Sequence, residues 1–261
     1  MGMKAHRVYR RAIRRNLKPY FANWMPGDPV NLGDYGYFRN GIFQYVGNIR
    51  EDFEIAFEVY EDPTGSDLEF DANGSVDVNI DTGADAPELG KATLKLGFNG
   101  SWNVFFQALD TRTNRIGNKR AVGDAIENLY SQGKWERRFV LVTDVVNAGR
   151  TIAGVSSEGG AELEFSAKGE VPINILGDAS VDLSIARTSK IGYKINTNGA
   201  QILLGLCKIK GRFGSPALRP KRATNPLKMN AILSGNAVPE TSGSEDLFFG
   251  QYLGEDLKDF D

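Results

Sequence analysis

Cysteine and histidine are nearly absent from this chain of 261 residues, and their scarcity excludes several kinds of active site. The single cysteine, Cys207, cannot form an internal disulfide, which fits a reducing compartment. The single histidine, His6, leaves a Ser-His-Asp or Cys-His constellation without a suitable base, and zinc sites need more of both residue types. A glycine-rich phosphate loop is missing as well. We therefore expect a protein that is not an enzyme and that uses no metal and no cofactor.

Long apolar runs are also missing. None approaches the roughly 18 residues that a spanning helix needs. The N-terminus is basic but has no apolar segment of the kind found in secretory signals. These absences predict a soluble, cytoplasmic protein, and we expect membrane association only on activation.

Charge of one sign dominates each end of the chain, although the net charge is only −2. Residues 4–18 contain no acidic side chain, whereas residues 240–261 contain several acids and one base, Lys258. The cations of the N-terminal segment are Lys4, Arg7, Arg10, Arg11, Arg14, Arg15 and Lys18.

The basic segment is predicted to be a helix that ends at Pro19, because Tyr9, Ile13 and Leu17 form one apolar stripe at helical spacing. Three roles fit it: a structural helix packed through this stripe, a contact with anionic lipid, or phosphate contacts with nucleic acid. Each Lys or Arg near an anionic membrane contributes about 1 kcal/mol to binding. The rest of the chain is slightly acidic and has no recognised nucleic-acid module, so we expect no nucleic-acid partner.

Alternation of apolar and polar residues predicts two amphipathic β-hairpins, at residues 70–98 and 161–186. Each consists of two alternating segments separated by a polar, glycine-containing loop. Their principal apolar residues are Val76, Val78, Ile80, Leu94, Leu96, Phe98, Leu163, Phe165, Val181, Leu183 and Ile185.

Further elements follow from other patterns. Asn40-Gly41 between aromatic runs predicts another hairpin, and helical spacing predicts a helix over residues 119–132. The near-continuous apolar run at 138–146 predicts a buried strand, and two more strands are predicted at 190–195 and 201–209. Together these patterns predict an α+β fold: a twisted, mostly antiparallel sheet with flanking helices and amphipathic hairpins.

The composition changes after residue 211, where the chain becomes basic, proline-bearing and aperiodic. We interpret residues 1–211 as the folded domain, residues 212–244 as an exposed linker and residues 245–261 as an acidic, aromatic tail. The apolar side chains of the tail can anchor it in a groove or dock it on another chain. They are Phe248, Phe249, Tyr252, Leu253, Leu257 and Phe260.

One motif of catalytic type is present. Asp81-Thr82-Gly83-Ala84-Asp85, behind an apolar strand, resembles the active-site loop of retroviral-type aspartic proteases, in which two aspartates share a proton and activate water. A glycine-rich flap and a second-half strand are not recognisable downstream. Asp, Thr and Gly are ordinary turn residues, so we interpret the motif as a hairpin loop and keep an aspartic peptidase as a third alternative.

Three features together resemble the pore-forming domains of gasdermins of the bacterial or fungal type. They are the basic helix at residues 4–18, the segment RFVLVTDVVNAGRTIAGVSSEGGAELEFSA at residues 138–167, and the length of the chain. The resemblance implies that the helix contacts acidic lipid. It also implies that the two hairpins extend, turn the apolar residues given above towards lipid and join neighbouring subunits into a pore. It also implies that a C-terminal segment keeps the pore domain inactive until a protease removes it. Bacterial members have a lipidated cysteine near the N-terminus, and this chain has none there.

These inferences lead to one hypothesis and a non-enzymatic alternative. The hypothesis is a membrane-permeabilising protein whose partners are anionic lipid, an activating protease and, on activation, further copies of itself. The alternative is a protein-binding or scaffold module that uses the tail as a docking peptide. Alternation alone does not separate them, because any half-buried sheet alternates in the same way.

Overall fold

The computed structural model describes residues 2–23, 29–39, 41–72, 76–81, 93–167, 183–210 and 248–252. The predicted linker, the two hairpin loops and the end of the tail lie outside these residues.

The N-terminal helix, α1 (Gly2–Asn16), forms where the sequence predicts and ends before Pro19. Its apolar stripe is buried: Tyr9 and Ile13 are at most 1% exposed, and Leu17 packs beside them. The Tyr9 ring lies 5.1 Å from the ring of Tyr193 and 6.4 Å from that of Phe106. The prediction of a helix packed through this stripe is therefore confirmed.

Strands form most of the remaining described chain. The elements after α1 are β1 (Phe21–Ala22), β2 (Asp34–Arg39), β3 (Ile42–Asn48), α2 (Ile49–Phe53), β4 (Val59–Glu61), β5 (Ser66–Ala72), β6 (Val76–Asp81) and β7 (Thr93–Phe98). They are followed by β8 (Val104–Ile116), α3 (Lys119–Ser131), β9 (Phe139–Ser156), β10 (Ala161–Ala167), β11 (Leu183–Ser189), β12 (Ile191–Lys210) and β13 (Phe248–Gln251). The predicted helix at 119–132 and the antiparallel pair around Gly41 are both present.

The large sheet is built on two long strands, β9 and β12, which pair antiparallel over most of their length. β9 is buried almost throughout, as its apolar run predicts. On its other edge β9 pairs with β8 and β2, beyond which lie β5, β4 and β3. β1 and β13 pair with the outer edge of β12 at successive positions.

The two predicted amphipathic hairpins, β6–β7 and β10–β11, form one small sheet. Its order is β11-β10-β7-β6, and all three pairings are antiparallel. The α+β prediction, with antiparallel sheets, flanking helices and amphipathic hairpins, is confirmed.

The helix α1 and the small sheet cover opposite faces of the large sheet. Side chains of neighbouring strand residues point to opposite faces, and Phe106 packs with α1 whereas Phe105 packs with the small sheet. The third helix, α3, covers a separate part of the core through Val122 and Ile126. The hairpins are therefore held on the body of the protein as a second layer.

One prediction of strand boundaries is wrong. The sequence predicts two strands at 190–195 and 201–209, but the structure has the single strand β12. The polar residues between them stay paired with β9, because register shifts at three places absorb the irregularity. Gly199, with φ +63, takes a left-handed conformation within the strand that suits glycine.

Candidate membrane-active surface

The cations of α1 fall into two groups. Arg7, Arg11 and Arg15 are exposed and share the face of α1 opposite Tyr9 and Ile13, and the exposed Lys18 follows in the turn after the helix; these four residues are called the basic stripe below. Within the described residues, no acidic side chain pairs with Arg7, Arg11 or Arg15. The basic stripe is a row of positive charge directed away from the body. The side chain of Lys4 lies outside the described part.

Arg10 and Arg14 are placed differently from the basic stripe, because both are partly buried at its border with the apolar face. The Arg14 guanidinium lies 4.4 Å from the centre of the Phe21 ring, at cation–π distance. The Arg10 guanidinium packs against Gly41 in the β2–β3 turn. Burial, together with Arg7 and Arg11, lowers the pKa of Arg10 to about 10, so it remains charged at neutral pH. These two arginines hold the helix on the body through contacts with Phe21 and Gly41.

The apolar residues predicted to face lipid lie mainly on the buried face of the small sheet. Leu94, Leu96, Phe98, Leu163 and Phe165 are at most 1% exposed and pack against Phe105 and Ile152 of the large sheet. Burying five such side chains stabilises this arrangement by on the order of 10 kcal/mol. Because exposure of this face to water would lose that free energy, the small sheet can separate from the large sheet only if its apolar face enters another apolar environment.

The remaining hairpin residues lie at the margins of the small sheet. Val76 and Ile185 pack partly against its core, and Val78, on the edge strand β6, is 40% exposed. The side chains of Ile80 and Leu183, and the whole of Val181, lie outside the described residues.

The close approach of the two sheets depends on Gly154 of β9. A Cβ atom at this position would lie 3.0 Å from Leu163 Cδ2 and 3.1 Å from Phe98 Cζ. We predict that Gly154→Val lowers the free energy of unfolding in urea by about 1–3 kcal/mol, because the small sheet cannot seat over a larger side chain. Gly97→Val is the matched control, since a Cβ there meets only ordinary contacts with Asp77. Equal stability of the two variants would contradict the prediction.

The tail contacts the body through Tyr252 and the strand β13. β13 pairs antiparallel with Cys207–Lys210 of β12. The Tyr252 ring stacks on Phe21 with centroids 5.1 Å apart and planes at 12°, and its N–H donates to the Leu206 carbonyl at 2.7 Å. Tyr252 is 2% exposed. The end of the tail strand is thus part of the core.

Phe249 is the second described anchor of the tail. Its ring packs on Gly123 of α3, where a Cβ atom would lie 3.1 Å from Phe249 Cδ1. Its backbone N–H donates to Glu127 Oε1 at 2.7 Å. Sequence reasoning named Phe249 and Tyr252 but missed Gly123 and Glu127, which carry no signal of their own within the helix pattern. The side chain of Phe248 and residues Leu253, Leu257 and Phe260 lie outside the described part.

Other potentially reactive groups have structural surroundings. Cys207 is buried beside Thr143, and burial raises the pKa of its thiol. Burial, with Arg10 and Arg7, lowers the pKa of His6 to about 4, so its imidazole is neutral at pH 7. The DTGAD loop beyond Asp81 lies outside the described residues. In the described ranges, no group of three or more His, Cys, Asp or Glu side chains is arranged to hold a metal ion.

None of the described helices has the length and apolar character needed to cross a membrane.

Comparison with known proteins gives little sequence-level information. No protein-family model matches the chain, and no curated protein matches it. Among solved structures, the cryo-EM structure of the gasdermin A3 membrane pore is similar over 82% of this chain and 97% of that chain, with 8% sequence identity and a TM-score of 0.31. A likeness of this size supports no conclusion about function, so the contacts within this chain must supply the functional evidence.

Proposed function

We propose that this protein permeabilises anionic membranes by inserting its two hairpins, and that its C-terminal tail keeps it inactive. The observation that carries the proposal is the small sheet: both predicted hairpins lie side by side, and their apolar face is folded onto the body. The side chains of such a sheet alternate between an apolar and a polar face, so the apolar face that now packs on the protein core can face lipid hydrocarbon with the same alternation.

The strands must lengthen for this function. β6 and β7 have six residues each, and β10 and β11 have seven, whereas a spanning strand needs about 9–11. Along the chain, each of the four strands is next to a strand of the large sheet: β6 follows β5, β7 precedes β8, β10 follows β9 and β11 precedes β12. The additional length therefore comes from these neighbouring segments.

The basic stripe supplies the first contact with the membrane. Arg7, Arg11 and Arg15 point away from the body, and each contributes about 1 kcal/mol near an anionic surface. Because Arg10 and Arg14 are engaged within the protein, they contribute less than their number in the sequence suggests.

The tail inhibits by occupying a strand edge. Copies joined in a ring must pair the edge formed by β5 and β6 with the edge formed by β11 and β12 of the next copy. On the outer edge of β12, β1 pairs with Leu203 and Leu204, and β13 pairs with Cys207–Lys210 further along. A bound tail blocks pairing with a neighbouring copy at that end of β12.

The test is dye release from vesicles before and after the tail is severed. A protease site is introduced within the linker at residues 216–228, and the intact protein is purified and then cut. A tobacco-etch-type protease is avoided, because Glu127–Gly133 of α3 resembles its recognition sequence. We expect release from phosphatidylserine-containing vesicles only after cutting, and little from phosphatidylcholine vesicles.

Absence of release from the cut protein at high protein:lipid ratio would contradict the proposed function. If the severed tail then bound another protein chain, the docking-peptide alternative would explain the tail. An Asp81→Asn variant tests the peptidase alternative, because loss of a proteolytic activity in that variant alone would favour it.

A further inference from the structure

The small sheet continues the register of the large sheet through a short joint, formed by residues 99–103 and 156–160. On one side of the joint Val104 pairs with Val155, and on the other Phe98 pairs with Ala161. Five residues on each strand therefore separate the two ladders. Because the numbers are equal, β7 and β8 can become one strand beside a continuous β9 and β10 without any slip of register.

The strands on either side of the joint, β5–β6 and β11–β12, can also straighten without moving their apolar side chains to the other face of the sheet. Ala72 pairs with Val104 and Val76 pairs with Phe98, so three residues of the chain separate β5 from β6 and five separate β7 from β8. Between the β9–β12 and β10–β11 ladders, residues 157–161 oppose Lys190, which is five against one. Both differences are even. Since side chains alternate with a period of two, straightening leaves the apolar side chains next to the joint on their own face.

The apolar residues on the two sides of the joint are in phase. Leu94, Leu96 and Phe98 of β7 have the same parity as Val104 and Phe106 of β8. In the folded protein the first three pack with Phe105, and the last two pack with α1. A straight segment from Leu94 to Phe106 has 13 residues and presents one apolar face, which exceeds the roughly 9–11 residues of a spanning strand.

The side-chain hydroxyl of Ser156 forms hydrogen bonds across the joint. The Ser156 N–H donates to the Asn103 carbonyl at 3.0 Å, but the Asn103 N–H donates to Ser156 Oγ at 2.9 Å. The Ser156 carbonyl instead accepts from the Trp102 N–H at 3.1 Å, and the Ser156 hydroxyl donates to the Gly100 carbonyl at 2.8 Å. Ser156 is fully buried. Its hydroxyl thus takes the place that its carbonyl has in a regular antiparallel pair.

We propose that Ser156 is a positioning residue that holds the sheet folded at the joint, and that loss of its side-chain hydrogen bonds lets the hairpins straighten during insertion. The role in insertion rests on the proposed function. In a straight ladder the Asn103 N–H bonds to the Ser156 carbonyl and needs no hydroxyl. The side chain therefore stabilises the folded form alone.

Lys190 destabilises the folded form of the joint, whereas Ser156 stabilises it. It connects β11 to β12 with φ +54, a left-handed conformation that disfavours residues with a Cβ atom. Its carbonyl accepts from both the N–H and the hydroxyl of Ser157, at 2.8 and 2.6 Å. Replacing Lys190 by glycine removes the strain from the folded form and keeps these bonds.

The experiment compares three variants by hydrogen exchange in the full chain and by dye release after the tail is cut. Ser156→Ala leaves the buried Asn103 N–H without its acceptor, so we expect about tenfold faster exchange at Asn103 and about tenfold faster release. Lys190→Gly is expected to slow both by about fivefold. Ser157→Ala is the matched control and is expected to change neither, because the Ser157 N–H still bonds the Lys190 carbonyl.

Two results would overturn the role of Ser156. One is wild-type exchange at Asn103 and wild-type dye release in Ser156→Ala. The other is faster exchange throughout β9, including Val142, which would assign Ser156 to global stability. If cut wild-type protein releases no dye, the proposed function fails, and exchange at Asn103 in Ser156→Ala and Lys190→Gly still decides whether the joint opens as proposed.

Discussion

Full-length protein with both tail anchors replaced, Phe249→Ala with Tyr252→Ala, is expected to release dye from anionic vesicles without proteolysis. The variant loses the stack of Tyr252 on Phe21 and the contact of Phe249 with Gly123. Truncating a buried aromatic residue such as Tyr252 to alanine costs about 3–5 kcal/mol, and loss of the half-buried Phe249 ring adds to this, so the docking equilibrium falls by more than about a hundredfold for the pair. The tail should leave β12, and the edge at Cys207–Lys210 becomes available to a second copy.

Gln251→Ala is the matched control for the anchors. Gln251 belongs to the same strand but is exposed, so its replacement should leave the tail docked and the protein inactive. Hydrogen exchange at Cys207–Lys210 reports undocking independently of any membrane. If the double variant undocks by this measure and releases no dye, while the cut protein does, the described anchors are not the inhibitory element.

Removing three charges of the basic stripe, with Arg7→Gln, Arg11→Gln and Arg15→Gln, is expected to weaken binding to phosphatidylserine-containing vesicles by about two orders of magnitude. At about 1 kcal/mol for each cation near an anionic surface, the triple variant loses about 3 kcal/mol. The difference should shrink as salt is raised, because exposed charges are screened within about 10 Å at 0.1 M ionic strength. Vesicle co-sedimentation of the cut protein measures the effect.

The control for the stripe removes three exposed cations elsewhere, with Arg112→Gln, Lys134→Gln and Arg138→Gln. Arg112 and Arg138 form exposed ion pairs with Asp110 and Glu136, which contribute little to stability, and Arg138 also lies 5.8 Å from the centre of the Tyr37 ring. The net charge changes equally in both triple variants. Equal loss of binding in the two would show that net charge acts without any special role for α1.

The helix α1 shows most clearly which features the sequence predicts and which it does not. The apolar stripe of Tyr9, Ile13 and Leu17 predicts the helix and its packing face, because helical spacing alone determines which residues share a face. The same pattern does not separate Arg10 and Arg14 from the basic stripe. Their partners, Gly41 and Phe21, are distant in sequence, and only the tertiary structure brings them to the helix.

The hairpins show the same division. Alternation in residues 76–98 and 161–185 identifies β6, β7, β10 and β11, since an alternating pattern has a period of two. It does not predict that β7 pairs with β10, which joins the two hairpins into one sheet. Pairing between distant strands depends on how the whole chain closes, and no local pattern records it.

The sequence by itself determined the helix faces, the alternating strands, the α+β class and the aromatic character of the tail, because each follows from the spacing of neighbouring residues. Only the tertiary structure decided where those faces pack: the hairpins on the body, Tyr252 on Phe21, and Ser156 at the joint. The physical reason is that burial and hydrogen bonding depend on contacts between segments far apart in the chain, whereas side-chain periodicity depends only on local backbone geometry.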